Sequence, residues 1–339
     1  TSWLARQADP LVQAVLREGL ALPLDRKQVQ ALLDDVRHQH RPEELCVYFY
    51  EHFLSVYDRG RRRRRGVYYT PVELVEFIVR RVDQSLSCEF GLDGGLADCA
   101  TWSQVSSGDH GGDGPGDLPF VRVLDPAMGT GAFLLAAVRR CHQRYCESAA
   151  TKEHERNEQW QLFVTDQLLP RIIGIELMLP ALALAQIQLA AQLARTGFRF
   201  EREGKLHYYL GNTLDRPFLV EQRLGCDEAR VTVVVGNPPF SGVSWNRQTW
   251  LRDLLRGRSP DGREVVANYF VVDGQPLGER KHWLEDDYVK FIRYAHWQLE
   301  RSGAGVIGLV TNHGFLDNPT FRGMRQQLLQ RFPQVTIVD

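Results

Sequence analysis

Val231-Thr232-Val233-Val234-Val235-Gly236-Asn237-Pro238-Pro239-Phe240 decides how this chain is read. Val231 to Val235 have the β-branched composition of a buried strand. Gly236 ends it, and two consecutive prolines then stiffen the loop, because proline fixes φ and carries no N–H. Asn237 and Phe240 flank the stiff piece. Such a loop suits a flat ligand with an amine on its edge: an Asn and a free carbonyl accept from the amine, and a ring stacks on the face.

Working outward, strands and helices alternate from residue 120. Strands are expected at Phe120 to Leu124, Arg171 to Ile175, Leu206 to Leu210, Val231 to Val235, Val306 to Val310 and Val335 to Val338. Helices are expected at Ala132 to Tyr145, Glu153 to Leu168, Pro180 to Thr196, Asp287 to Arg301 and Asn318 to Gln330. This alternation predicts an α/β domain with a mostly parallel sheet and helices on both faces. Ligands of such sheets bind outside the carboxyl ends of the strands, at the switch point. Residues 241–283 interrupt the pattern with three Trp and several Arg; following the Pro-Pro loop directly, they are expected to wall or cover it.

Three strand ends carry polar residues. Leu124-Asp125-Pro126-Ala127-Met128-Gly129-Thr130-Gly131-Ala132-Phe133 reads as strand, glycine loop, helix, with backbone amides presented at a helix start. Asp125 would repel a pyrophosphate and suits a cationic or hydroxyl-rich ligand. Glu176 ends the next strand, placed to accept from two ribose hydroxyls. It lies 45 positions beyond Gly131, against about 20 in a dinucleotide fold, so NAD is disfavoured. Asn212 ends the third strand and could hydrogen-bond an adenine edge; a plain turn is the competing reading. GxxxxGK[ST], GxSxG and a Pro-Cys nucleophile are all absent from the sequence.

Upstream, Tyr69-Thr70-Pro71-Val72-Glu73 reads as a helix start, with Thr70 as N-cap, Pro71 at N1 and Glu73 in the first turn. Before it, Arg59-Gly60-Arg61-Arg62-Arg63-Arg64-Arg65-Gly66 is a loop, either a solvated linker or a phosphate contact. Residues 88–119, dense in Gly, Asp and Ser, read as an exposed loop. Residues 1–57 have helical spacing and no chemistry; their three histidines read as ordinary rather than metal-binding, and no metal site is expected. Six scattered cysteines without CxxC spacing read as free thiols of a reducing cytoplasm. A net charge of −1 over 339 residues neither implies nor excludes nucleic acid, and no run approaches a membrane span. The chain starts at Thr1 without Met and stops in a strand-like run, so a piece of a longer polypeptide is expected.

Taken in order, these pieces resemble the gamma group of N6-adenine DNA methyltransferases. The group's order is a Tyr-Thr-Pro helix, Asp-Pro-Ala-x-Gly-x-Gly-x-Phe, an acid after the second strand, a polar residue after the third, and Asn-Pro-Pro-Phe after the fourth. The resemblance covers residues 60–339 and is similar in detail to the methyltransferase module of single-polypeptide (type ISP or type IIG-like) restriction-modification enzymes. Asp287-Tyr288-Val289-Lys290-Phe291 and Asn312 to Leu329 share in it.

The resemblance implies a Rossmann-like methyltransferase fold over residues 58–339, preceded by a helical coupler over 1–57. It implies S-adenosylmethionine as cofactor, double-stranded DNA as partner, and a prokaryotic cytoplasm. Nuclease and ATPase modules would be fused upstream and a target-recognition domain downstream. Asp125, Pro126, Ala127, Gly129, Gly131 and Phe133 would shape the cofactor site, Glu176 would hold the ribose and Asn212 the adenine ring. Tyr69, Thr70 and Pro71 would meet the methionine end. Asn237 and the Pro238 carbonyl would accept from the target amine, Pro239 would stiffen the loop, and Phe240 would stack on the flipped base. Asn212 stands where many relatives carry Asp, keeping an acceptor. Two other readings stand beside this one: methylation of another planar amine (protein glutamine or RNA guanine), and a catalytically silent scaffold that binds cofactor or DNA.

Overall fold

Short β-branched stretches pair in parallel to form the sheet that positions everything else. They are β1 (Val123–Asp125), β2 (Ile172–Glu176), β3 (His207–Leu210), β4 (Val233–Gly236) and, after a two-stranded hairpin of β5 (Val271–Val272) and β6 (Gln275–Pro276), β7 (Val306–Leu309). Their order is β3-β2-β1-β4-β7, all neighbours parallel. The chain therefore winds outward from β1 to β3, then returns to lay β4 on the other side of β1. The switch point lies between Asp125 and Gly236. This computed structural model describes residues 70–105, 116–148, 153–199, 206–225, 230–240, 244, 246–262, 267–278 and 282–338. The expected coupler over 1–57, the arginine run and Tyr69 lie outside the described residues.

Helices cover both faces. On one side lie α1 (Val72–Phe90), α2 (Ala132–Ser148), α3 (Glu153–Leu162), which continues as a π-turn to Leu168, and α4 (Leu179–Arg195). On the other side are α5 (Leu219–Leu224), α6 (Thr249–Leu255) and α7 (Asp287–Ser302), with α8 (Arg322–Arg331) beyond β7. Alternation along β4 divides the two cores. Val233 and Val235 join the α1–α2 core, and Val234 joins the core around Tyr294 and Trp297 of α7. A third apolar cluster, with Tyr269, Leu284, Tyr288 and Phe321, joins the 241–283 segment to α7 and to the turn before α8.

Three expectations are corrected. First, β1 and β4 begin at Val123 and Val233, later than the hydrophobic runs suggest. The side chain of Thr232 takes the ladder's place: its hydroxyl donates to the Phe120 carbonyl (2.6 Å) and accepts from the Arg122 amide (3.2 Å). Second, residues 88–119 are not simply an exposed loop. Helix α1 runs to Phe90, and Leu92, Leu96 and Trp102 are buried. Buried Asp83 accepts from the Leu96 amide (2.9 Å) and pairs with Arg140 (2.7 Å) and Arg144 (2.8 Å), clamping the segment onto α2. Residues 106–115 of it lie outside the described set. Third, Val335 to Val338 form no strand among the described residues, and Val335, Ile337 and Val338 stand exposed. β-branched composition favours extended backbone but supplies no neighbour to pair with.

Candidate active site

Asp125 and Gly236 meet at the switch point. A Cβ on Gly236 would sit 2.7 Å from Asp125 Oδ1, and Gly236 holds φ +153, so only glycine fits between the two motifs. The Asp125 carboxyl is 1% exposed; its Oδ1 accepts from the Ala127 amide (3.1 Å). Its Oδ2 is buried without a hydrogen-bond partner. Burial pushes this carboxyl up to about 8, opposed by the Ala127 N–H and assisted by the Glu176 charge. An acid in that condition awaits a donor or a cation.

The glycine loop is tied down behind it. Glu176 accepts from the Gly129 amide through Oε2 (2.8 Å) and from the Met178 amide through Oε1 (2.7 Å), so one carboxylate fixes both the loop and the entrance to α4. The Met128 amide donates to the Ile175 carbonyl (3.0 Å), and Gln188 of α4 donates to the Thr130 carbonyl (2.8 Å). Gly174 in mid-strand has a reason: a Cβ there would lie 2.2 Å from Met128 Sδ. Pro126 is buried and its carbonyl accepts from the Thr213 hydroxyl. Ala127 packs on the α7-side core, while Phe133 is 3% exposed and belongs to the α1–α2 core beneath the loop. Gly129 (φ +57) and Gly131 (φ +91) both turn through the left-handed region.

Asn212 is held on both sides. Its Oδ1 accepts from the Leu214 amide (3.0 Å) and its Nδ2 donates to Asn246 Oδ1 (2.7 Å). Just after β4, Asn237 Nδ2 donates to the Thr70 hydroxyl (2.9 Å), leaving Asn237 Oδ1 buried and without a partner. This corrects the expected cap: α1 begins at Val72 with Pro71 at the N-cap position and no side-chain cap. Thr70, 8% exposed, spends its hydroxyl on Asn237 instead. Pro238 is buried and Pro239 half-buried. Phe240 packs against the third apolar cluster, to which Ala267, Tyr269 and Leu277 of the 241–283 segment contribute; the expected wall is there. Tyr69 lies outside the described residues.

The site thus gathers Asp125, Glu176, Asn212, Asn237 and Thr70 along one edge of the sheet. Sequence reading missed Thr213, Asn246 and Tyr208. Tyr208 shares a row with Gly174 and Asp125 across the strands, and its buried hydroxyl is raised by desolvation first and by Asp125 second. None of the three stands in a motif, and only the row register could have pointed to Tyr208. No group of His, Cys, Asp and Glu able to hold a metal occurs among the described residues. Nor is any helix among them long and apolar enough to cross a membrane.

Comparison with known proteins bears on the fold. Residues 119–268 match the family described as N-6 DNA Methylase. No curated protein matches the chain. Among solved structures, the DrdV–DNA complex superposes with a TM-score of 0.59 at 23% identity, over 87% of this chain and 26% of that one. A nuclease-deletion mutant of the type ISP restriction-modification enzyme LlaGI, in complex with a DNA substrate mimic, gives 0.58 at 20% identity, over 98% and 25%. The ATP-dependent type ISP restriction-modification enzyme LlaBIII bound to DNA gives 0.54 at 21%, over 97% and 21%. The chain spans about a quarter of the length of these proteins. Its fold is theirs, and the match to the N-6 DNA Methylase family spans residues 119–268 of it.

Proposed function

We propose that this chain is the module that transfers a methyl group to N6 of adenine in double-stranded DNA, within a restriction-modification or phage-defence enzyme. The observation that carries the reading is Asn237 Oδ1, buried, without a hydrogen-bond partner and oriented by Thr70 at the switch point. A buried acceptor left empty costs about 1–3 kcal/mol unless a ligand fills it. An amine donor is what the Asn-Pro-Pro-Phe loop is shaped to meet.

S-adenosylmethionine fits the other half, where it would supply an activated methyl on a positively charged sulfur. Asp125, with a second buried oxygen unpartnered, suits a cationic or hydroxyl-bearing ligand. Pro126, Ala127, Gly129 and Gly131 would shape that half, with Phe133 backing them from the core. Glu176 would take ribose hydroxyls, Asn212 the adenine ring, and Tyr69, Thr70 and Pro71 the methionine end. The amine's reactivity is then the chain's own work. The N6 lone pair is delocalised into the purine, and two acceptors, Asn237 Oδ1 and the Pro238 carbonyl, would draw the amine toward tetrahedral geometry and localise that pair. Alignment for in-line displacement supplies the rest. The base must leave the duplex at a cost of a few kcal/mol, which stacking on Phe240 offsets in part.

The match to the N-6 DNA methylase family favours DNA adenine over protein glutamine or RNA guanine. The fused nuclease and ATPase modules, the downstream target-recognition domain and a prokaryotic cytoplasmic setting belong to the same proposal. The test is Asn237→Ala in the full-length protein. Methyl transfer to DNA should fall at least a thousandfold, with S-adenosylmethionine affinity changed by less than about threefold. A variant that still methylates DNA at the wild-type rate defeats the mechanism.

A further inference from the structure

Asn246 stands six residues beyond Phe240 in the chain and meets Asn212. There Asn246 Oδ1 receives the Nδ2–H of Asn212 at 2.7 Å. Asn246 is not loosely placed. Buried Lys290 of α7 donates to its carbonyl (2.6 Å) and to the Ser244 hydroxyl. Ser244 donates to Asp287 Oδ1 (2.5 Å), and the Asn246 amide donates to Ser244 Oγ (3.1 Å). Lys290 and Asp287 stand 3.7 Å apart on the first turn of α7. Lys290 is 3% exposed, so this network lies in a low-dielectric setting where each bond is strengthened and each loss costs more.

From this geometry we infer that Asn246 is a positioning residue for the cofactor pocket: it fixes which way the Asn212 amide faces, and the Lys290–Asp287–Ser244 network holds it there. This rests on the functional reading above, with Asn212 toward the adenine ring. Without Asn246, the Asn212 amide keeps only its Oδ1 bond to the Leu214 amide (3.0 Å), about which the rest of the group is free to turn. With Asn246, one Nδ2 hydrogen is committed and the other has a single direction left for a ring acceptor. The same device suits the carboxylate many relatives carry at this place. An Asn246 amide turned over would donate to an acid as readily as it now accepts from an amide.

The test is S-adenosylmethionine binding by calorimetry on the whole chain, for Asn246→Ala, Asn246→Asp, Asn212→Asp and the double variant Asn212→Asp/Asn246→Asp, with thermal unfolding of each. Asn246→Asp keeps the acceptor and should bind within about threefold of wild type, whereas Asn246→Ala should bind roughly tenfold more weakly. Asn212→Asp should lose less than about tenfold, because the Asn246 amide can turn. The double variant sets two carboxylates in contact. It should lose more than the product of the single losses at pH 8 and recover toward pH 5, a sign-dependent pattern that a purely structural role does not produce. If Asn246→Ala unfolds, the Asp series decides alone. Equal affinity for wild type and Asn246→Ala, or strict additivity in the double variant at both pH values, overturns the inference. A wild-type chain that binds no S-adenosylmethionine overturns the functional reading instead.

Discussion

Around β1 and β2, the site is tied by carboxylates to amides close at hand: Asp125 to Ala127 and Glu176 to Met178, each two residues along, with Glu176 also reaching Gly129. Around β4, the equivalent tie comes from Thr70, 167 residues earlier in the chain, and the aromatic platform leans on a segment that follows the loop. The β1–β2 half therefore combines turns local to its own strands with ties from Thr213 and Asn246 further along the chain. The base half is an assembly of distant pieces, and its geometry depends on α1 being in place.

The sharpest break falls where the halves touch. Gly236→Ala puts a methyl 2.7 Å from the Asp125 carboxyl in a backbone conformation side chains avoid. It should cost about 2–4 kcal/mol in unfolding free energy and weaken both cofactor binding and methyl transfer, measured by denaturation, calorimetry and turnover. Loss of only one function would show the halves to be more independent than their contact implies. Next, Thr70→Val should loosen Asn237 and the methionine end together: kcat for DNA methylation falls by about tenfold and S-adenosylmethionine affinity by a few-fold, while Thr70→Ser restores both. Both variants should also leave the pH dependence of stability intact.

That dependence belongs to the cofactor half. Folded Asp125 titrates near 8, above its ordinary 3.8. Between those values the native chain keeps a proton that the unfolded chain has lost. Its contribution to stability is thus full below about pH 4 and declines as pH rises to about 8, by up to about 1.4 kcal/mol per unit. Asp125→Asn should remove that slope from thermal or urea unfolding run across this range. An unchanged slope would assign it elsewhere. The smallest effect is expected from Gln188→Ala, which removes one bond to the Thr130 carbonyl. About 0.5–1.5 kcal/mol of stability should go, with cofactor affinity softened by a few-fold and the base half untouched.

The same contrast explains what the sequence could show. The β-branched run before Gly236, the glycine loop after Asp125 and the acid at Glu176 are local patterns whose chemistry is spelled by neighbours, and the sheet placed each at a strand end. Thr70 was legible as a helix start but not as the residue orienting Asn237, since no local pattern reports a partner so distant. Asn246 and Thr213 are single polar residues in irregular stretches with nothing to mark them. The 88–119 segment misled because Gly and Asp outnumber the few apolar anchors, Leu92, Leu96 and Trp102, that bury it. The Val335 to Val338 run misled for the opposite reason: its composition suits a strand, but no strand pairs with it among the described residues.

The packing of α1 on β7 has a consequence for how the molecule is made. Gly308 admits Val82 and Ile78 so closely that a Cβ there would lie 2.7 and 2.8 Å from them, so a helix translated early completes its seat only when the last strand of the sheet arrives. During synthesis the segments from β1 to Asn212 can pair as soon as they emerge. The grip on Asn237 must wait for roughly a hundred further residues, with a long loop to close and a corresponding entropic delay. A nascent chain would therefore set the turns at Asp125 and Glu176 well before it could orient Asn237.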